Sequence, residues 1–262
     1  MLDIGLPGTL TAARHGEILI VRLSRATKRN ALDNATVKGL GRLFADMPAD
    51  IGAVVLHGDG EHFCAGLDLE ELVDKTHAHD GILHSQMWHR AFQEIQFGRV
   101  PVVCVLHGAV VGGGLELAAA THIRVAEHSA FYALPEAQRG LFLGGGGSVR
   151  ITRLIGVARV QDMMLTGRVL SAEEGHAAGI TQYLVAPGEG LAEAVRLARK
   201  IAGNAPVTNF AAINALPRIA ESDPAAGLFT ESLMAAIAET TPDAQRRLRD
   251  FLEKRAPKTV HR

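Results

Sequence analysis

The sequence predicts an α/β fold built on parallel strand pairing, followed by an all-helical C-terminal region. Three observations carry that prediction. Apolar, β-branched runs of strand length alternate with helix-length stretches through the first 190 residues, the pattern of repeated strand–helix–strand units. Glycines mark the junctions where a strand ends and a helix begins, at Ala65-Gly66-Leu67 and Gly112-Gly113-Gly114. From Leu191 onward only helical periodicity remains, broken at Gly203-Asn204-Ala205-Pro206, Asp223-Pro224 and Thr241-Pro242-Asp243. The chain therefore divides into a core over 1–190 and a helical region over 191–262.

Taken in order, Glu17–Leu23 is a strand that runs into a polar loop from Ser24 to Asn30. Asp33 or Asn34 caps the next helix, whose Val37, Leu40, Leu43 and Phe44 recur at helical spacing. Ile51–Leu56 is a buried strand that turns out through His57-Gly58-Asp59-Gly60, and Phe63–Leu69 leads into an acid-rich helical start. Residues 74–99 are polar and histidine-rich around a helical stretch. Val102–Leu106 is a further strand, which passes by way of three glycines into Leu115-Glu116-Leu117-Ala118, a strong helix former. Glu116 then lies one or two residues into that helix. Ile123–Ala126 is a short strand. Gly144–Gly147 is a tight turn that lets the helix from Arg150 to Leu154 pack closely. Ser171 and Glu174 have capping-box spacing, and Ile180–Val185 is the last strand. Helices near 191–202, 207–220, 224–239 and 243–254 complete the chain.

Composition narrows the function classes. The 262 residues are 47% hydrophobic and 21% charged, enough apolar material for a large core. A net charge of −1 with both signs scattered leaves no electrostatic footprint for nucleic acid. No apolar run approaches the ~18 residues of a membrane span, and the N-terminus lacks a secretory pattern. Cys64 and Cys104 form no disulfide framework, which fits a reducing cytoplasm.

The chemistry concentrates in Val102–Ala120. A strand, a glycine turn and a helix start leave free N–H groups beside the positive end of a helix dipole. Two such turns offer amide donors from separate loops, as an oxyanion hole requires. Glu116 and Glu136 add a pair of carboxylates suited to general acid/base work on a bound water. Each also has an ordinary reading as a first-turn acid that favours the helix dipole. Gly144–Gly147 lacks the lysine of a phosphate-binding loop, and neither glycine run completes G-x-G-x-x-G. His77, His79, His84 and His89 lack metal-ligand spacing and read as a solvated lid or rim. Cys64 lies among apolar residues, which raises a thiol's pKa and lowers its reactivity. No G-x-S-x-G is present for a serine hydrolase.

Four segments then group together: Lys28-Arg29-Asn30-Ala31-Leu32-Asp33, His62–Leu69, Gly112–Glu116, and Leu134-Pro135-Glu136 with Gly144–Arg150. With Asp250–Arg255 near the C-terminus, their order and spacing resemble the enoyl-CoA hydratase/isomerase (crotonase) superfamily over nearly the full length. The resemblance implies a crotonase-like spiral of repeated ββα units, with a helical region that packs on the core or a neighbour. It implies an acyl-CoA partner whose thioester oxygen is gripped by the backbone N–H groups of Leu67 and Gly113. Glu116 and Glu136, twenty residues apart, match the two glutamates of the hydratases. Ala26, Lys28, Ala31, Ala65, Asp68 and Leu69 would line the CoA groove. Coenzyme A belongs to the substrate, so neither a resident cofactor nor a metal is expected, and the assembly is a homotrimer or dimer of trimers. The implied reaction is hydration of a trans-2-enoyl-CoA. An isomerase or thioester hydrolase on the same scaffold, or a non-catalytic acyl-CoA-binding protein, are the alternatives. Departures from the family pattern are Thr121-His122, Arg139, Leu143 and Arg246-Arg247.

Overall fold

A computed structural model describes residues 5–73 and 77–255. The chain begins with an antiparallel hairpin, β1 (Leu10–His15) and β2 (Ile18–Leu23), and then α1 (Asn34–Ala45). Asp33 is the cap: its carboxylate accepts from the Thr36 amide at 2.7 Å, and Val37, Leu40, Leu43 and Phe44 are buried as their spacing predicts. Next come β3 (Ala53–Gly58) and α2 (Ala78–Gln96), which buries Trp88, Ala91, Phe92 and Ile95. The histidine-rich stretch is thus a 19-residue helix with one apolar stripe. Of that stretch, Asp74, Lys75 and Thr76 lie outside the described residues.

A repeating unit now becomes plain. β4 (Val102–Leu106) and β5 (Ala109–Val111) precede α3 (Gly113–Ala119). In the same way β6 (Ile123–Glu127) and β7 (Phe131–Ala133) precede α4 (Gly147–Ile155). The first strand of each unit enters one sheet and the second enters another. In the β3 unit Cys64 alone reaches the second sheet, by a bridge to Val110. The remaining elements of this part are α5 (Val157–Thr166), β8 (Leu170–Ser171), α6 (Ala172–Ala178), β9 (Tyr183–Val185) and α7 (Gly190–Ala202). The large sheet has the order β1-β2-β3-β4-β6-β9 and is parallel except at β1; the small one is β5-β7-β8. Ser171 and Glu174 form the capping box that their spacing predicts.

β4 is buried at every position because both of its faces are covered. Val54, Leu56, Cys104 and Leu106 face the main core with α1, α2 and α3, while Val55, Val103, Val105 and Val125 pack against Ala194, Leu197 and Ala198 of α7. The Gly190 amide donates to Glu127 Oε1 at 3.1 Å and fixes the start of α7. Here the sequence reading needs adjusting. The helix that covers a sheet face belongs with that sheet, so the first compact unit runs to Ala202 rather than to 190, and the second covers 203–262. β1, β5, β7, β8 and α5 were not anticipated, and the last strand is shorter than Ile180–Val185. α3 starts at Gly113, so Glu116 is its fourth residue and not its first or second.

The second unit contains α8 (Pro206–Glu221), α9 (Pro224–Glu239) and α10 (Pro242–Leu252). Each has proline in its first turn, where the missing N–H costs no hydrogen bond. Asp223 caps α9 and Thr241 caps α10 through side-chain oxygens. Leu228 and Phe229 of α9 are 64% and 65% exposed.

Candidate active site

The two glycine turns meet at one cavity of about 590 Å³ in the first unit. Local pairing aims the donors. Leu32 donates to the Gly66 carbonyl at 2.8 Å and accepts from the Asp68 amide at 2.9 Å, so the Leu67 amide between them points to the opposite side, into the cavity wall. Gly113 opens α3, where an amide has no carbonyl one turn back. Gly112 precedes it with φ +51°, a left-handed conformation that swings the chain from β5 into the helix. The two amides are neighbours: a Cβ on Gly113 would lie 3.2 Å from Leu67 N, and one on Gly66 would lie 3.3 Å from Gly113 N. A carbonyl oxygen placed there accepts from two pre-set dipoles at a helix N-terminus.

The carboxylates complete the wall. Glu116, on the first turns of a helix whose seven residues are all buried, is 4% exposed. Its Oε1 accepts from the amides of Gly145 at 2.9 Å and Gly147 at 2.8 Å. Burial pushes its pKa up, opposed by those two amides and by the charge of Arg150. Glu136 is also pushed up, to about 7, first by burial and then by the negative charge of Glu116. Its Oε2 is buried without a hydrogen-bond partner among the described residues. Its Oε1 lies over the first turn of the glycine segment, where a Cβ on Gly112 would come within 2.7 Å of it. The pair therefore combines one carboxyl anchored by amides with one that ionises near neutrality.

Most of the sequence-predicted site residues gather here. Lys28, Ala31, Ala65, Leu67, Asp68 and Leu69 line the cavity, as do Gly113, Glu116 and Glu136. Ala26 alone of the expected set lies off the wall, in the 3-10 turn Ala26–Lys28, where a Cβ on Gly60 would lie 3.1 Å from its own Cβ. Asp68 commits its carboxylate to Arg25 at 2.7 Å and Lys28 at 3.3 Å, and Lys28 also reaches Glu70 at 2.7 Å, so these charges tie one rim of the cavity together. Asn30 holds the same loop from beneath: it accepts from Arg25 N and donates to the carbonyls of Asp59 and His62. Cys64 is fully buried with its thiol pushed up to about 12, which leaves it protonated and poorly nucleophilic. Among the described residues, no group of three or more histidines, cysteines or acids is placed to hold a metal.

Sequence reasoning missed Trp88 and Ser85, which α2 presents to the cavity beside His84, one of the histidines read as a lid or rim, and Gly145, which closes it behind Glu116. Trp88 packs where a Cβ on Gly113 or Gly145 would touch its ring, so it presses on the second glycine turn and on the Gly144–Gly147 run. The signal was present: Trp88, Phe92 and Ile95 recur at helical spacing inside an otherwise polar segment. Of the departures, His122 is structural. It accepts from the Val102 amide and contacts the Gln96 carbonyl, and burial lowers its pKa to about 4.

Comparison with known proteins bears on the family and the fold. The family model described as enoyl-CoA hydratase/isomerase matches residues 13–261. The chain belongs to that family. A solved structure from Rhodopseudomonas palustris is 54% identical, with a TM-score of 0.92 over 95% of this chain and 96% of that one. Enoyl-CoA hydratase domain-containing protein 2 of human mitochondria is 34% identical over 92% of this chain and 84% of its own length. The 2,3-dehydroadipyl-CoA hydratase of Escherichia coli is 31% identical over 95% and 97%. Membership makes the chain an enzyme of acyl-CoA chemistry with the crotonase fold. No helix among the described residues is long and apolar enough to cross a membrane.

Proposed function

We propose that the chain hydrates a trans-2-enoyl-CoA thioester to the 3-hydroxyacyl-CoA. The observation that carries this reading is the convergence of Glu116 and Glu136 on the cavity beside the Leu67 and Gly113 amides. In the reaction, Glu116 takes a proton from water and the oxygen bonds to C3 of the enoyl group. The C2–C3 π electrons move toward the thioester, whose oxygen gains charge held by the two amides. Glu136, protonated near neutrality, gives its proton to C2. One water is consumed, the proton on Glu116 later restores Glu136, and no resident cofactor takes part. Amide donors stabilise charge that forms only in the transition state, so each contributes to rate, roughly 3–4 kcal/mol.

The experiment is to incubate the protein with crotonyl-CoA and follow the absorbance of the conjugated thioester. Hydration removes it and yields a product heavier by one water. An isomerase would instead create that absorbance from a trans-3-enoyl-CoA, through a proton shuttled by Glu136 alone. Turnover of the 3-enoyl ester without hydration of any 2-enoyl ester would overturn the reading in favour of the isomerase. A panel of enoyl-CoA esters, short, long and bearing a terminal carboxylate, defines the acyl group. Assembly as a homotrimer or dimer of trimers is proposed on the same footing. It would cover the exposed apolar residues of the C-terminal unit. Two free, buried thiols fit residence in a reducing cytoplasm.

A further inference from the structure

We propose that Arg150 is a positioning residue for this reaction: braced by Gln96, its guanidinium holds the Gly145 carbonyl and so sets the two amides that grip Glu116. The inference rests on the reading of Glu116 as the group that accepts a proton from water. Arg150 is the fourth residue of α4 and is 8% exposed. A guanidinium so buried requires partners for its donors. Nε donates to Gln96 Oε1 at 2.6 Å, and Nη1 donates to the Gly145 carbonyl at 3.0 Å. The amide of that same glycine donates to Glu116 Oε1 at 2.9 Å, so a single residue joins Arg150 to the glutamate. Gly147 begins the helix that carries Arg150 and supplies the second amide at 2.8 Å. Between them Gly146 has φ +96°, and a Cβ there would overlap Nη1. The glycine run is thus a clamp shaped around one arginine, and not a spacer.

The charge has a use as well. Among the described residues no carboxylate lies within ion-pair distance of Arg150, and Glu116 is the acid whose field acts on it. The other charged groups around this point do not replace it. Glu136 opposes a second negative charge, and Arg139 acts on Glu136. His89 on α2 is disfavoured as a cation by burial and by Arg150, and Arg153 repels Arg150. Cys64 beneath Gly114 is neutral. In this low-dielectric pocket one cation at fixed distance favours ionised Glu116 far more than it would in water.

The test uses the full chain and three variants, R150M, R150K and Q96L. It measures crotonyl-CoA hydration between about pH 5 and 9 and the binding of the unreactive butyryl-CoA. R150M is expected to lower kcat about 100-fold, the loss typical of a misplaced catalytic group, with butyryl-CoA affinity within about twofold of wild type. Its acidic limb moves to higher pH, because Glu116 without the cation binds a proton more readily. R150K keeps the charge but cannot fork between Gln96 and Gly145, so kcat falls while the limb stays near that of wild type. Q96L behaves like R150K. An unmoved limb in R150M, or a kcat that falls only with the folded fraction, overturns the proposal. If R150M does not fold, R150K and Q96L decide, and wild-type kcat in both overturns it. A wild type that hydrates no enoyl-CoA sinks the reading beneath, whereas an active wild type with an indifferent Arg150 sinks only the role assigned here.

Discussion

A carboxyl group kept from water ionises late, and Glu136 shows both consequences. As the proton donor to C2 it must be protonated, so hydration should decline as pH rises beyond about 7. Glu136→Gln removes the donor; turnover of crotonyl-CoA should drop about 10³-fold with butyryl-CoA binding unchanged. Near-normal turnover would take Glu136 out of the mechanism. The same burial acts on stability with a definite sign. The folded carboxyl titrates near 7 and the unfolded one near 4.5, so the folded state holds the extra proton between those values. Stability therefore falls as pH rises through that window, by roughly 3 kcal/mol at about 1.4 kcal/mol per pH unit. Glu136→Gln should accordingly melt at a higher temperature than wild type at pH 8 and show no such gain at pH 4. A calorimetric scan at the two pH values checks it. The two glutamates were legible in the sequence through its likeness to the family's motifs. Their unequal environments were not, because burial and the amides of Gly145 and Gly147 come from elements far along the chain.

Glycine turns do their work as elements, and Gly112 sits against the Glu136 carboxyl. Gly112→Ala places a methyl group 2.7 Å from Glu136 Oε1 in a backbone with φ +51°. Roughly 1–2 kcal/mol of stability should be lost, read by denaturant titration, along with about 100-fold in kcat. Ser171→Ala is the contrast. It removes the cap of α6, costing about 1 kcal/mol, and leaves hydration kinetics unchanged, since α6 does not line the cavity. Elements with strong local signals were legible: the cap at Asp33, the box at Ser171, the apolar runs of β3 and β4. β5 and β7 were not, because three-residue strands carry no periodicity and exist only through their pairing in the small sheet. β1 escaped for a related reason, as Thr11, Arg14 and His15 make half of it polar on an edge of the sheet.

Across the whole molecule, what the sequence conveyed best was the order of its motifs. Asn30, Gly66, Gly113, Glu116 and Gly145 are separated along the chain, yet the strand pairings bring them to one cavity or to the loop beneath it. Assembly as a homotrimer or dimer of trimers is a proposal that rests on family likeness. Sedimentation equilibrium should give three or six times the 27.9 kDa of the chain, and a double change of Leu228 and Phe229 to lysine should lower that mass. A wild-type monomer at micromolar concentration would reject the expected assembly. One feature of the core reaches beyond catalysis. Cys64 lies directly under the second glycine turn, and both thiols are wholly enclosed. An alkylating reagent can reach them only while the surrounding structure is open. The protein therefore contains its own stopwatch for breathing: the labelling rate of Cys64, with and without a bound acyl-CoA, records how often the floor of the cavity comes apart.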